Sequence, residues 1–530
     1  MKAQKPSCLP VRIKTSLVVT AAVVIFSSAQ AANRYFSVTD GDWSASGNWE
    51  SSNLPGSADT ATVGQSDANS TRASIAHARI NAGDNISITR LTIGNVGANG
   101  TSAEGTVTMT GGTLGISGYL LLAETANTSG TFTLSGGTVS MGNTIFLNRG
   151  GGSKGAMNVS GGTINGTSLY VGGTNGSSSA TTNAELNVSG GSILLNDIFR
   201  IAHGNSTGNS TGVVNHTAGL ISASGVEVQS ANGGSGTYNL SGGELRIGTG
   251  GNNGQLRGGG AGTRAFNWSG GTIGVGDSSL LTVANSLGSL NLLSGGSDAV
   301  FDTTNTNAAA ARILVQSSIT GDGNLTIRGI GTVEFANSVV TYTGDTTVES
   351  GTLLLNASSP TSVKSANVLV GSVATLGGNG SFTGLVTANG KLAAGGVGSV
   401  GTLTFDQLLT LGDATIQWDF VDTANADLYT ITGGIDFSGG DPVQISINAL
   451  AGSTVNENDT FTIFQGDVSG IVASNFVVQD DLAAWQGNWK VRITGDSVQL
   501  VAVAIPEPST CAFALGGIAA LVLCIRRFRM

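Results

Sequence analysis

Three histidines, an acidic C-terminal stretch and a pair of tryptophans are the residues whose types could do chemistry in this sequence. A polysaccharide hydrolase or lyase needs clustered carboxylates for acid–base work, or carboxylates beside Lys or Arg to steady an anion. Between Gly100 and Val300 the charges are few and scattered, so the chain shows no such cluster. His77 and His203 have no evident partner. His216 takes a strand position otherwise held by Met, Leu, Val or Trp, and reads as a packed core histidine. Asp419, Asp422, Asp427, Asp480 and Asp481 could hold Ca²⁺ weakly. Neither an EF-hand loop nor a G-G-x-G-x-D series accompanies them, so a solvated acidic face is preferred. Trp43 and Trp49 sit in a turn-rich aromatic stretch from Tyr35 to Val63. They either plug the open end of a repeat fold, the favoured reading, or stack on a sugar ring as a glycan contact. No H-E-x-x-H pair, phosphate loop or catalytic cysteine is present. The sequence thus implies no catalytic residue, no metal and no cofactor, with a glycan-active enzyme on the same scaffold as the alternative.

The elements that must position these residues follow from composition and repetition. The chain has 530 residues, 82 of them glycine, with 11% charged and 40% hydrophobic. Collagen needs glycine near one-third in strict register, and disordered chains are charge-rich and apolar-poor, so neither fits. A Gly-Gly step preceded by Ser or Thr recurs at Gly111, Gly136, Gly161, Gly190, Gly242, Gly270 and Gly295, with a degenerate copy at Ala218-Gly219. The mean period is about 26 residues, within the range of solenoid repeats. Residues before each step alternate, as in Thr131-Phe132-Thr133-Leu134-Ser135. Period two marks a strand with one buried face. The inward pairs are Val107/Met109, Phe132/Leu134, Met157/Val159, Leu186/Val188, Val214/His216, Tyr238/Leu240 and Phe266/Trp268. Between them runs an outward column of Thr108, Thr133, Asn158, Asn187, Asn215, Asn239 and Asn267, which stacking in register would turn into an amide ladder. Further short strands, such as Thr144 to Leu147 and Leu169 to Val171, complete each period. Several short strands per fixed period favour a parallel β-helix over an antiparallel sandwich.

The two ends read as addresses. Lys2, Lys5, Arg12 and Lys14 precede an apolar run from Leu17 to Phe26 and an A-x-A site at Ala29 and Ala31. These are the three parts of a secretory signal peptide, with a mature chain expected from Ala32. At the other end, Pro506-Glu507-Pro508-Ser509 precedes a charge-free run from Thr510 to Ile525 and then Arg526, Arg527 and Arg529. An apolar helix with an arginine stop predicts a transmembrane segment whose arginines stay cytoplasmic. This tail resembles the PEP-CTERM sorting segment of exported Gram-negative proteins. The resemblance implies processing by an exosortase, a membrane cysteine transpeptidase, with a family link to extracellular polysaccharide and biofilm matrix. All three cysteines, Cys8, Cys511 and Cys524, lie in these end segments, so no disulfide framework is expected between them. Seven of the 23 basic residues and one of the 33 acidic ones also lie there, which leaves a formal −16 for the mature region. That balance argues against nucleic acid as a partner.

From about residue 313 the pattern changes. Ile319-Thr320-Gly321-Asp322-Gly323-Asn324-Leu325, Gly331-Thr332-Val333, Tyr342-Thr343-Gly344-Asp345-Thr346-Thr347-Val348 and Gly351-Thr352-Leu353 follow in order. The run resembles the autotransporter-associated β-strand repeat, which implies a right-handed parallel β-helix stalk on an exported surface protein. The expected organisation is a signal peptide (1–31), an N-terminal β cap (32–99), Gly-Gly-marked repeats (100–300) and the autotransporter-like region (301–412). A small acidic β domain (413–504) and the sorting segment (505–530) complete it. The expected fold is all-β, with helices only in the signal and tail segments. The expected role is a non-enzymatic structural or adhesive protein of the cell surface or matrix. Its partners would be signal peptidase, an exosortase, the membrane before processing, and extracellular polysaccharide.

Overall fold

A computed structural model describes residues 31–504 apart from 68–71, 175–181, 205–209, 230–232, 337–338, 480–484 and 486. The expected signal helix, Ala29 and the whole tail (Pro506, Glu507, Pro508, Arg526, Arg527 and Arg529 included) lie outside the described residues; Ala31 is exposed at their start. Among the described residues no helix is long and apolar enough to cross a membrane.

The chain winds as a parallel β-solenoid of about 14 turns. Each turn contributes one strand to each of three sheets. In one turn, Thr128–Leu134 joins one sheet, Thr138–Met141 the next and Ile145–Leu147 the third. One turn later Lys154–Val159, Thr163–Gly166 and Leu169–Thr174 pair with them in parallel, residue for residue. At about 4.8 Å per turn the rod is roughly 65–70 Å long. The sheets containing Ile145–Leu147, Thr128–Leu134 and Thr138–Met141 are called the first, second and third columns below.

The alternation dictates the core. Phe132, Met157, Leu186, Val214, Tyr238, Phe266 and Leu290 form one inward stack in register, each at most 1% exposed. The corners depend on both glycines of each step, for different reasons. A Cβ on Gly136 would stand 2.4 Å from the Thr110 carbonyl oxygen of the preceding turn, so the first position has no room. Gly137 adopts φ +86°, a left-handed conformation that costs an L-residue about 1–2 kcal/mol. From Thr182–Leu195 to Thr263–Val275 the strands run unbroken through this corner.

Outside the second column, the asparagines stack as the sequence pattern predicts. Asn187 donates to Asn158 (3.0 Å), Asn215 to Asn187 (2.9 Å), Asn239 to Asn215 (2.9 Å) and Asn267 to Asn239 (2.8 Å). Asn291 adds a sixth member by donating to Asn267 at 3.2 Å. Each amide from Asn187 to Asn291 donates toward the N-terminal end, so the ladder has a polarity.

The ends differ from the expected domain plan. Columns begin already at Asn33–Tyr35 and Asp40–Asp42, which pair in parallel with Thr60–Ser66 and Ile75–Ile80. Segment 32–99 is therefore the first turns of the solenoid itself. Likewise Thr415–Asp422 pairs in parallel with Lys391–Ala394 and Val443–Ala449, and Val443–Ala449 with Phe476–Gln479. No fold boundary falls at residue 413. Acidic composition suggested a separate domain, yet inward residues such as Ile416 and Trp418 keep the core continuous. The rod closes where Asn488–Thr494 and Ser497–Val503 form a hairpin antiparallel to Thr460–Gly466. That hairpin covers strand edges that would otherwise be open to pairing with another chain.

Candidate functional site

Trp43 and Trp49 are placed by two 3-10 turns, Ser46–Asn48 and Glu50–Ser52, that fold across the first turn of the solenoid. Both indoles are buried, at 2% and 1% exposure, so neither offers a face to a sugar. They pack edge-on at 4.7 Å, Phe36 packs on Trp49 at 5.2 Å, and the Trp49 indole N–H donates to the Trp43 carbonyl oxygen at 2.8 Å. A cavity of about 290 Å³ is lined by Trp43 together with Leu54, Pro55, Asp84 and Ile86.

The three histidines have three different settings. His77 Nδ1 lies 3.0 Å from Asp40 and its Nε2 2.9 Å from Thr108 Oγ1. The order Asp–His–hydroxyl is that of an activated nucleophile. However, the three side chains lie on an outward sheet face, where the neighbouring backbone N–H groups are spent on the ladder between turns. These backbone N–H groups are therefore not free to form an oxyanion hole, and Arg79 also holds Asp40. His216 is fully buried, with Nδ1 3.0 Å from the Tyr238 hydroxyl and Nε2 3.2 Å from the Gly219 carbonyl oxygen. Burial pushes it down to about 4, against the partial support of the Gly219 contact. It is a neutral core residue. His203 stacks on Tyr170 at 4.6 Å, and its own burial together with the Arg200 charge lowers its pKa.

The acidic candidates do not converge on a cation. Asp419 and Asp427 are fully buried and engaged from within. Asp419 accepts from the backbone of Gly398 and Ser399, from Gln417 and from Asn448. Asp427 accepts from the Gly401 and Asp419 backbone at 2.8 and 2.9 Å. Burial pushes Asp427 up to about 8, with the Asp419 charge assisting and the two backbone donors opposing. The pair ties loop 395–401 to the strand below it. Asp422 instead sits in an exposed turn and accepts from Ala424 and Asn425, chiefly the Asn425 side chain, which lowers its pKa. Asp480 and Asp481 lie outside the described residues. Among the described residues no group of three or more His, Cys, Asp or Glu could hold a metal ion.

The structure assembles one further surface from residues far apart in the sequence. On the outside of the first column, Leu121, Phe146, Tyr170, Arg200, Glu227 and Arg257 occupy one register position on six successive turns. Tyr119, 41% exposed, leans on this row 6.0 Å from Phe146. Phe146 meets Tyr170 edge-on at 5.1 Å, and Tyr170 meets His203. Arg149 lies over the Phe146 ring at 4.8 Å and Arg200 over Tyr170 at 5.1 Å. Arg200 also donates to the Tyr170 hydroxyl and to Glu227, which Arg257 approaches at 3.5 Å. The row was hidden because its aromatics recur at unequal intervals, loops of different length separating them. An aromatic at the same strand position in consecutive periods was the available signal.

No protein-family model matches the chain, and no curated protein matches it.

Proposed function

We propose that this chain is an exported, non-enzymatic structural and adhesive protein of a bacterial surface or matrix. A right-handed β-helix would serve as its stiff spacer. The observation that carries the reading is the unbroken parallel pairing from Asn33–Tyr35 to Phe476–Gln479, braced outside by the six-asparagine ladder. Such a rod gains stability turn by turn and holds an extended surface away from whatever anchors it. The basic, apolar and A-x-A parts of residues 1–31 support export through signal peptidase. Pro506, Glu507, Pro508 and the Arg526, Arg527 and Arg529 stop support membrane retention through the tail until an exosortase processes it. Cell-surface attachment or release would then follow. Mass spectrometry of the protein from its native host tests this reading. Both ends should be removed or modified, and an intact C-terminus in a host that makes an exosortase refutes the sorting claim.

A further inference from the structure

We infer that the outer face of the first column between Tyr119 and Arg257 is a binding track for a single acidic polysaccharide strand. The ligand class rests on the extracellular reading above for where such a polymer is met, but its chemistry stands on the residues. Sugars present C–H faces that pack on aromatic rings, and uronate carboxylates pair with guanidinium groups, whose planar fork suits them. Both partners are laid out here on one face. Tyr119, Phe146 and Tyr170 supply the rings, with Arg149 and Arg200 beside two of them.

Spacing favours a linear polymer running along the rod. Successive first-column residues are one turn, about 4.8 Å, apart, close to the length of one sugar in an extended chain. A ligand lying along the axis therefore meets Phe146, Tyr170 and Arg200 on three successive turns and then the Glu227–Arg257 pair. Charge favours an anion. The whole chain is formally −10, yet this face sets Arg149, Arg200 and Arg257 against Glu227. Arg200 is held by Glu227 through its Nε and by the Tyr170 hydroxyl through one terminal nitrogen, which fixes its guanidinium on this face. Among the described residues no carboxylate pairs with Arg149, whose guanidinium rests on the Phe146 ring. A stack that only braced neighbouring turns would have no use for that cation at its rim.

The test is affinity electrophoresis of protein purified from its host, in native gels cast with alginate as the acidic probe, with dextran or with single-stranded DNA. Alginate should retard the protein in a salt-sensitive way, and dextran should not. Arg149→Gln and Tyr119→Ala should each weaken retention about tenfold, the effect of losing one charged or stacking contact, at an unchanged melting temperature. Four results would overturn the inference: no retardation by alginate, equal retardation by dextran, stronger retardation by DNA, or variants that bind like the parent. Because retention is read in vitro, its failure leaves the mass-spectrometric test of export standing, and the reverse also holds.

Discussion

The polarity of the asparagine ladder makes a sharp prediction at Asn239. This residue donates to Asn215 at 2.9 Å and accepts from Asn267 at 2.8 Å. Asn239→Ala removes both bonds, which at about 0.5–1.5 kcal/mol each amounts to roughly 1–3 kcal/mol. Asn239→Asp keeps the acceptor but sets a carboxylate oxygen against the Asn215 oxygen, so it should cost at least as much. Asn158 begins the ladder and only accepts, from Asn187. Asn158→Asp therefore converts a neutral acceptor into a charged one and should be neutral or mildly stabilising. A solenoid need not unfold in a single step, so the readout must be local. Hydrogen exchange of the amides in Ser210–Ala223 and Ser235–Ile247 provides that readout. Exchange should quicken about 5- to 150-fold for the two Asn239 variants, the factor equivalent to 1–3 kcal/mol. It should stay at the parent rate for Asn158→Asp. Equal effects of the two aspartates, or no effect of Asn239→Ala, would refute the directional ladder.

Other consequences are as direct. His216 falls from 6.5 to about 4 on burial, so the unfolded chain binds its proton first and stability declines as pH drops from about 6.5 to 4. The loss reaches roughly 3 kcal/mol at pH 4, and His216→Leu should remove that part of the pH dependence in urea midpoints measured at pH 7 and pH 4. Gly137→Ala should cost about 2 kcal/mol or more, from its φ of +86° and a Cβ 2.6 Å from the Gly112 carbonyl oxygen. Gly47→Ala, with nothing within 4 Å, should stay within about 0.5 kcal/mol by thermal unfolding. Trp49→Ala should lower stability by about 3–5 kcal/mol through loss of the terminal plug, while leaving polysaccharide retention in native gels unchanged.

The core was legible because a strand with one buried face writes itself as period two. Each inward pair from Val107/Met109 to Phe266/Trp268 is buried. The Gly-Gly corners and five asparagine positions were legible for the same reason, since identical turns repeat identical constraints. Asn291 escaped notice because Leu293 inserts one residue between it and the following Gly-Gly step, which shifts the marker the reading used. Continuity past residue 413 was hidden by the acidic composition there, while inward residues such as Ile416, Trp418 and Ile445 stay apolar. The contacts of His77 and the aromatic row are relations between turns. Asp40 and His77 are 37 positions apart, and nothing in local spacing announces that they stand side by side.

A solenoid that holds an extracellular polymer without cutting it, as proposed above, should leave that polymer intact. Size-exclusion chromatography with light scattering, on the purified protein incubated with alginate, reads binding and polymer length together. The protein should co-elute with alginate, and the polymer's mass should be unchanged after prolonged incubation. Progressive shortening of the polymer would contradict it and make the scaffold an enzyme.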